Sequence, residues 1–186
     1  HKNIMKPGIG VGGYCLTKDP LMGDISQKQI YMNDSSKFIF SKNALKINKN
    51  MPLSTLEKYK KFISNRKNKN CIILGYSYKE DVADIRNSAS EVLAKELKNY
   101  FKNVIIYDPM LKEFFSKKYE FISSLNELSK PIDAVFLTVS HKEFLFKETT
   151  DILIKLNATI FDFNCVLCQK QLAILKKSSI LVYAKG

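Results

Sequence analysis

The carboxyl-terminal two thirds of the chain alternates short apolar runs with amphipathic segments. A continuous apolar run at residues 71–76 predicts a buried parallel strand. Predominantly apolar segments predict further strands at residues 104–109, where Asp-Pro ends the strand, 134–139 and 159–163. Two shorter strands are predicted at residues 120–122 and 180–183. Helical spacing is found in the intervening segments, at residues 90–100, 111–117, 124–129, 142–146, 150–155 and 169–176. This alternation predicts an α/β fold with a parallel sheet and right-handed crossovers, which places ligands beyond the carboxyl ends of the strands.

The amino-terminal third has a helical pattern from residue 19 to about residue 70. Apolar residues recur at mixed spacings of three and four in residues 25–33 and 37–49. Pro52 predicts a break, after which Ser54 or Thr55 caps a further helix that ends near residue 63.

A polar run at residues 64–70 follows and has no apolar residue, so it predicts a linker or exposed turn. We therefore expect a partial helical region at residues 1–69 and an α/β domain at residues 70–186. The chain begins with His1 and enters a glycine-rich segment almost at once. We expect it to be part of a longer protein.

Composition narrows the classes of partner. The net charge is +12, but of 30 basic residues only Arg66 and Arg86 are arginine. Arginine is the residue that reads base edges and clamps phosphates, so we expect no nucleic-acid partner. No run of 18 apolar residues occurs, which predicts no membrane span. Four cysteines in a chain of this size favour a reduced, cytoplasmic setting over a disulfide scaffold.

Residues 6–20 combine a glycine cluster with a cysteine, two lysines and an aspartate. Their sequence is Lys-Pro-Gly-Ile-Gly-Val-Gly-Gly-Tyr-Cys-Leu-Thr-Lys-Asp-Pro. Glycines let a backbone approach a ligand closely, and a thiol beside a cation is a potential nucleophile. Gly8, Gly10 and Gly13 satisfy the spacing GxGxxG, but no apolar strand precedes them, as a dinucleotide fingerprint requires. A structural turn is the plainer alternative, and a buried, inert Cys15 is the usual fate of a cysteine.

This segment resembles the active-site loop of the UDP-glucose/GDP-mannose dehydrogenase family, the nucleotide-sugar 6-dehydrogenases. Three further segments resemble the same family in the same order: Ala-x-x-Ile-Asn-x-x-Met-Pro at residues 44–52, Leu-Gly-Tyr-Ser-Tyr-Lys-Glu-Asp-Val-Ala-Asp-Ile-Arg-Asn-Ser at 74–88, and Thr-Val-Ser-His-Lys-Glu-Phe at 138–144. The resemblance covers the second half of a family member. It implies a Rossmann-like sheet of the UDP-binding type, preceded by part of a central helical region, and an NAD-binding domain that lies outside this chain.

The resemblance also implies a reaction. Family members oxidise a sugar C6 alcohol to a carboxylate by two hydride transfers to NAD. By this likeness Cys15 attacks the aldehyde and forms a thiohemiacetal and then a thioester. Lys18 supplies positive charge near the thiolate, the oxyanion or the cofactor, and Asp19 positions or deprotonates the hydrolytic water.

Substrate and cofactor contacts are implied in the same way. Lys6 and the glycines Gly10, Gly12 and Gly13 correspond to the loop that contacts substrate. Tyr78 and Lys79 match an aromatic–lysine pair that contacts the nucleotide sugar, and Arg86 matches an arginine that contacts NAD. In the alternative interpretation, Lys79–Asp81 and Asp84–Arg86 are solvated surface ion pairs that contribute little to the stability of the fold.

One position departs from the family pattern. Where an arginine or lysine commonly reaches the substrate, this chain has Asn164, so that contact is lost, altered or made by another residue. Cys165 and Cys168 form a CxxC, but no second pair stands at metal-ligand spacing, so we expect no metal site. We expect His141, at a strand end, to be a structural residue or one that supports the site residues, rather than a catalyst.

Two hypotheses therefore remain: part of an NAD-dependent dehydrogenase, or a non-catalytic nucleotide-sugar-binding or assembly module of the same fold. The expected partners are a UDP-sugar or GDP-sugar and, by resemblance, a second copy of the chain in a homodimer or higher homo-oligomer. The sugar stays open, since residues 15–19 favour the UDP-glucose or GDP-mannose type and residues 139–144 favour UDP-N-acetylhexosamine.

Overall fold

A computed structural model describes residues 8–32, 38–63 and 68–184 of the chain. Its centre is a six-stranded parallel sheet in the order β3-β2-β1-β4-β5-β6. The strands are β1 (Asn70–Leu74), β2 (Asn103–Tyr107), β3 (Glu120–Ile122), β4 (Ala134–Leu137), β5 (Thr159–Asp162) and β6 (Val182–Ala184). The helices are α1 (Met22–Gln29), α2 (Ile39–Ile63), α3 (Ala89–Leu97), α4 (Lys147–Leu156) and α5 (Gln169–Lys177). The predicted α/β class with a Rossmann-like parallel sheet is confirmed.

Alternate residues of each strand face two separate apolar layers. Ile73 of β1 packs in the layer that holds Leu56 of α2 and Leu93 of α3. Its neighbour Ile72 packs in the opposite layer, which holds Leu153 of α4. The strands are buried on both faces, which explains why their sequences are uniformly apolar.

The strand order reverses between β1 and β4. β1 pairs with β2 on one side and with β4 on the other, so the chain leaves the two adjacent strands β1 and β4 in different directions. Gly75 ends β1 with φ +98°, and a Cβ there would lie 2.5 Å from the Cβ of Val139. Only glycine fits this close approach of the two strand ends.

Two predicted features of the helices are wrong. Pro52 does not end a helix but lies buried inside α2. Proline removes the hydrogen bond to the carbonyl four residues earlier, that of Asn48, and this carbonyl lies 3.4 Å from the position that a Cβ on Gly10 would take. Residues 111–117 form turns rather than a helix. There Phe114 packs on Phe121 of β3, with ring centroids 4.9 Å apart.

The end of α2 is fastened to the sheet by aromatic contacts. Phe62 stacks on Tyr183 of β6 at 4.3 Å between ring centroids, and the Tyr59 hydroxyl donates to the Ala184 carbonyl at 3.2 Å. Within the described ranges no helix is both long and apolar enough to cross a bilayer.

Candidate active site

A cleft of about 1030 Å³ lies at the point where the strand order reverses. Its walls are the glycine loop, defined here as residues 8–14, and the segments that follow β1, β4 and β5. Cys15, Tyr78, Lys79 and Arg86 all line it. In open α/β sheets this crevice at the carboxyl edge is where ligands bind. Predicted site residues separated by some 70 positions are therefore brought together.

Two asparagine side chains fasten the first half of the glycine loop. Asn48 of α2 accepts from the Val11 N–H at 2.7 Å and donates to the Val11 carbonyl at 2.7 Å. Asn164 accepts from the Ile9 N–H at 2.8 Å and donates to the Thr138 carbonyl at the end of β4. Both polar atoms of Asn164 are thus engaged within the protein. At the position where the family commonly has a basic residue, this chain has an asparagine that links the glycine loop to the sheet by hydrogen bonds.

A third asparagine fastens the second half of the loop. The Gly13 N–H donates to the Arg86 carbonyl at 2.8 Å. Asn87 donates to the Gly13 carbonyl and to the Thr17 hydroxyl, both at 3.0 Å, and Thr17 donates to the same carbonyl at 2.8 Å. The N–H groups at positions 9, 11 and 13 are therefore used by the protein. Those of Gly10 and Gly12 donate no hydrogen bond to any described residue.

Tyr78 packs directly against two glycines of the loop. A Cβ on Gly12 would lie 2.7 Å from the Tyr78 Cβ and 2.8 Å from the Asn87 carbonyl. Gly13 has φ +85°, and a Cβ there would lie 3.0 Å from the Tyr78 ring. Side chains at these two positions would push the loop away from Tyr78, so the glycines are required for the width of the cleft.

One turn of chain holds the three predicted catalytic residues together. The Cys15 carbonyl accepts the N–H groups of Lys18 at 3.1 Å and Asp19 at 2.9 Å. Cys15 is exposed and free. Lys18 and Asp19 form an ion pair, and the pKa of Lys18 is raised, first by its hydrogen bond to Asp19 and to a smaller extent by the charges of Asp19, Tyr14 and Cys15.

Arg86 lies at the rim of the cleft, near the Cys15 turn. Its Nε and Nη2 donate to the Asp84 carboxylate at 2.9 Å and 2.6 Å. Its guanidinium carbon lies 5.5 Å from the centre of the Tyr14 ring, and the Lys18 ammonium lies 4.6 Å from the same ring. Tyr14 therefore has both predicted cofactor-contacting cations against its ring.

The surface-pair alternative holds for one pair and is wrong for the other. Asp84 does pair with Arg86. Asp81 pairs with Lys142 at 2.9 Å instead of with Lys79. Lys79 is exposed, lines the cleft and has no ion pair with any residue that the structure describes.

A buried carboxylate that the sequence patterns did not reveal holds the segment before Tyr78. Asp108, at the end of β2, is 1% exposed. It accepts from the N–H groups of Tyr76 at 2.6 Å and Ser77 at 2.7 Å. Burial alone would raise the pKa of Asp108, but the hydrogen bond from His141, with these two N–H groups, holds it at about 2. The apolar run and Asp-Pro at 104–109 were the only sequence signal for it.

Asp162 has a similar role at the end of β5. It accepts from the N–H groups of Val166 at 2.8 Å and Leu167 at 2.9 Å, which folds the turn that presents Asn164. Burial raises the pKa of Asp162 in spite of these bonds.

The remaining predictions fall beside or outside the site. Lys6 lies outside the described residues. Cys165 lines the cleft, whereas Cys168 precedes α5; neither is in a disulfide. Over residues 8–32, 38–63 and 68–184, no group of three or more His, Cys, Asp or Glu is placed to hold a metal ion.

Fold and cleft together define a Rossmann-like protein with an open cleft at its topological switch point. Residues 72–169, 98 of the 186, match the model of the UDP-glucose/GDP-mannose dehydrogenase family, UDP binding domain. The chain belongs to this family of nucleotide-sugar dehydrogenases, as predicted.

Relatives extend the match over the rest of the chain. A UDP-N-acetyl-D-mannosamine dehydrogenase of Methanococcus maripaludis is 33% identical over 99% of this chain and 41% of its own length. A UDP-glucose 6-dehydrogenase of Rickettsia conorii is 28% identical over 100% of this chain and 43% of its own. The structure of a UDP-D-ManNAc dehydrogenase from Pyrococcus horikoshii superposes with a TM-score of 0.71 at 24% identity, over 99% of this chain and 41% of that one. The chain thus spans about two fifths of the length of these relatives.

Proposed function

We propose that this chain is the carboxyl-terminal part of an NAD-dependent nucleotide-sugar 6-dehydrogenase, and that the cleft binds the nucleotide sugar beside Cys15. The observation that supports this most strongly is a juxtaposition. An exposed cysteine with a lysine and an aspartate in the same turn shares one cleft with Tyr78 and Lys79. A nucleophile and a cationic binding wall at the switch point are what such a reaction needs.

The proposed binding contacts use cleft groups that form no hydrogen bond or ion pair with any described residue, chiefly the Lys79 ammonium and the N–H groups of Gly10 and Gly12. In the proposal the Lys79 ammonium meets a phosphate of the nucleotide sugar, and Tyr78 packs against its nucleoside or sugar. The N–H groups of Gly10 and Gly12 donate to ligand oxygens, and Gly13 keeps the loop close to Tyr78. Lys6 adds a second cation by family likeness alone. Lysine is suited to phosphate as a point charge.

Catalysis is assigned to the Cys15 turn. The Cys15 sulfur adds to the C6 aldehyde and forms a thiohemiacetal, whose oxygen takes the proton that the addition requires. Oxidation of this adduct gives a thioester on Cys15. Water activated by Asp19 then cleaves the C–S bond, which releases the carboxylate and returns the thiol. Lys18 stabilises the negative charge that develops on sulfur and oxygen in these steps.

NAD, when bound, supplies the hydride acceptor for both oxidations. Arg86 fits a cofactor that has phosphates: Asp84 uses Nε and Nη2, while Nη1 donates to no described residue. A guanidinium held by a carboxylate and by Tyr14 is oriented before a phosphate arrives. Lys18 is the second residue proposed to contact the cofactor. Since the relatives are more than twice as long, we assign the NAD-binding domain to sequence outside this chain.

Assembly and location complete the proposal. Large apolar side chains are exposed on α1, on α2 and between them, including Met32 at 90% and Phe40 at 92% exposure. Such a surface favours a partner, and by family likeness we assign a second copy of the chain, in a homodimer or higher homo-oligomer. The division at residues 69 and 70 separates this helical region from the nucleotide-sugar-binding domain. Four cysteines with no disulfide among them favour a cytoplasmic location.

The test uses the intact dehydrogenase that contains this chain and its Cys15→Ser variant. UDP-glucose, UDP-N-acetylmannosamine and GDP-mannose are each supplied with NAD, and the sugar acid is quantified by mass spectrometry. We expect acid from the wild type with one of these substrates and none from Cys15→Ser. Cys165→Ser, another thiol of the same cleft, serves as the control and keeps its activity. Normal acid formation by Cys15→Ser would remove Cys15 as the nucleophile.

The non-catalytic alternative makes a different prediction. A binding or assembly module would bind the UDP-sugar, produce no NADH with any of the three substrates, and have a Cys15 that alkylates no faster than Cys165. An activated Cys15 alkylates faster than Cys165 and is protected by the nucleotide sugar.

A further inference from the structure

The segment that carries Tyr78 and Lys79 is fastened at both of its ends. At its start, Asp108 accepts the N–H groups of Tyr76 and Ser77 and also the Ser77 hydroxyl at 2.8 Å. At its end, the Asp81 N–H donates to Nδ1 of His141 at 3.0 Å. Between these points, after the end of β1 at Leu74, lie the two cleft residues Tyr78 and Lys79.

A single buried pair joins the two fastenings. His141 is fully buried, and its Nε2 lies 3.1 Å from the Asp108 carboxylate. Because the Asp81 N–H is a donor, Nδ1 of His141 must be the acceptor and has no proton. Nε2 therefore has the proton and donates a hydrogen bond to the Asp108 carboxylate. The two neighbours select one neutral tautomer of His141.

The far end of the segment needs such a fastening. Asp81 has φ +55°, a left-handed conformation that costs a non-glycine residue free energy unless its surroundings hold it. The Asp81 carboxylate also accepts the Lys142 N–H at 3.2 Å and pairs with the Lys142 ammonium. The charged groups around His141 are thus Asp108 on one side, Asp81 on the other, and Lys142 beyond Asp81.

We propose that His141 and Asp108 are positioning residues for the nucleotide-sugar cleft: the Nε2-protonated tautomer of His141 links the two ends of residues 76–81 and thereby sets Tyr78 and Lys79. This inference rests on the proposed function of the cleft. In this proposal His141 fixes the positions of Tyr78 and Lys79 and takes no part in the chemistry at Cys15.

Two substitutions separate the two halves of the link. Asparagine at position 141 puts an acceptor near the place of Nδ1 and is too short to reach Asp108. Glutamine puts a donor near the place of Nε2 and leaves the Asp81 N–H unpaired. His141→Asn should loosen the Tyr76–Ser77 end, and His141→Gln the Asp81 end. His1→Gln, which removes the only other histidine of the chain, is the control.

The 186-residue chain is studied by calorimetry with UDP as the probe, by amide hydrogen exchange, and by nitrogen NMR of the histidine rings. We expect UDP to bind about tenfold more weakly to each His141 variant at temperatures where both are folded, the effect of one lost hydrogen bond to a partner left buried. His141→Gln should also speed exchange of the Asp81 amide. A residue that only stabilises the fold would lower the melting temperature and leave the affinity of the folded protein unchanged.

Several outcomes overturn the proposal. One is UDP affinity within about twofold of wild type in both folded variants; another is a protonated Nδ1 in wild-type His141, a measurement that needs no variant. If the wild-type chain binds neither UDP nor GDP, the proposed function fails separately. Hydrogen exchange then still decides the link: faster exchange at residues 78–81 in His141→Gln supports it, and unchanged exchange refutes it.

Discussion

The asparagine supports of the glycine loop yield a quantitative prediction. Asn48→Asp keeps the size of the side chain and the oxygen that accepts the Val11 N–H. It replaces the amide that donates to the Val11 carbonyl with an anionic oxygen, at a site where the donor and acceptor are 2.7 Å apart. One lost hydrogen bond costs about 0.5–1.5 kcal/mol, and repulsion between carboxylate and carbonyl adds to it. We expect the loop to lose roughly 1–2 kcal/mol of docking free energy, a 5- to 30-fold rise in its undocked population.

Hydrogen exchange measures this population directly, since protected amides exchange in proportion to local opening. The amides of Val11 and Gly13 should exchange about 5- to 30-fold faster in Asn48→Asp. Asn50→Asp adds the same charge to the same helix, at an exposed residue with no hydrogen bond to the loop, and should leave these amides unchanged. Equal exchange in the two variants would refute the view that Asn48 docks the loop.

Two further predictions concern stability. Gly75→Ala places a methyl group 2.5 Å from the Val139 Cβ at a φ of +98°, so the free energy of unfolding should fall by about 3 kcal/mol. In the control Gly23→Ala the new methyl group meets the end of the Phe38 ring, and the free energy of unfolding should change far less. Urea titrations of both variants measure the difference. Asp108 has a folded pKa of about 2 against an ordinary 3.8, so its ionised form should contribute roughly 2 kcal/mol above pH 4 and lose it as the pH falls from about 4 to 2. Urea midpoints of Asp108→Asn across this range should lack that fall, and a parallel fall in both proteins would contradict the assignment.

The strands were predictable because a strand that is buried on both faces has a nearly continuous apolar sequence. Residues 71–74 and 134–137 are apolar without interruption, and both are central strands. The start of α3 also depends on a local contact, since the Ser88 hydroxyl before it accepts from the Ser90 N–H two residues later. Predictions made from one segment at a time succeed where the decisive contacts lie within that segment.

The errors and omissions arise where contacts join distant segments. Pro52 breaks a helix by local rules, but tertiary contacts on both sides of it hold α2 together. From the sequence alone, Asn164 is notable only for replacing a basic residue. The hydrogen bond that it accepts from the Ile9 N–H joins residues 155 positions apart. His141 and Asp108 are 33 residues apart and meet only because β4 and β2 flank β1 in register. Sequence patterns do not encode such register.

If the cleft beside Cys15 binds a nucleotide sugar, calorimetric titration of the chain should show saturable binding of one UDP or GDP per chain. This binding should be weaker in Lys79→Ala and unchanged in Lys46→Ala, an exposed lysine of α2 that does not line the cleft. Binding of neither nucleotide, or equal affinity in the two variants, would refute the nucleotide-sugar assignment of the cleft.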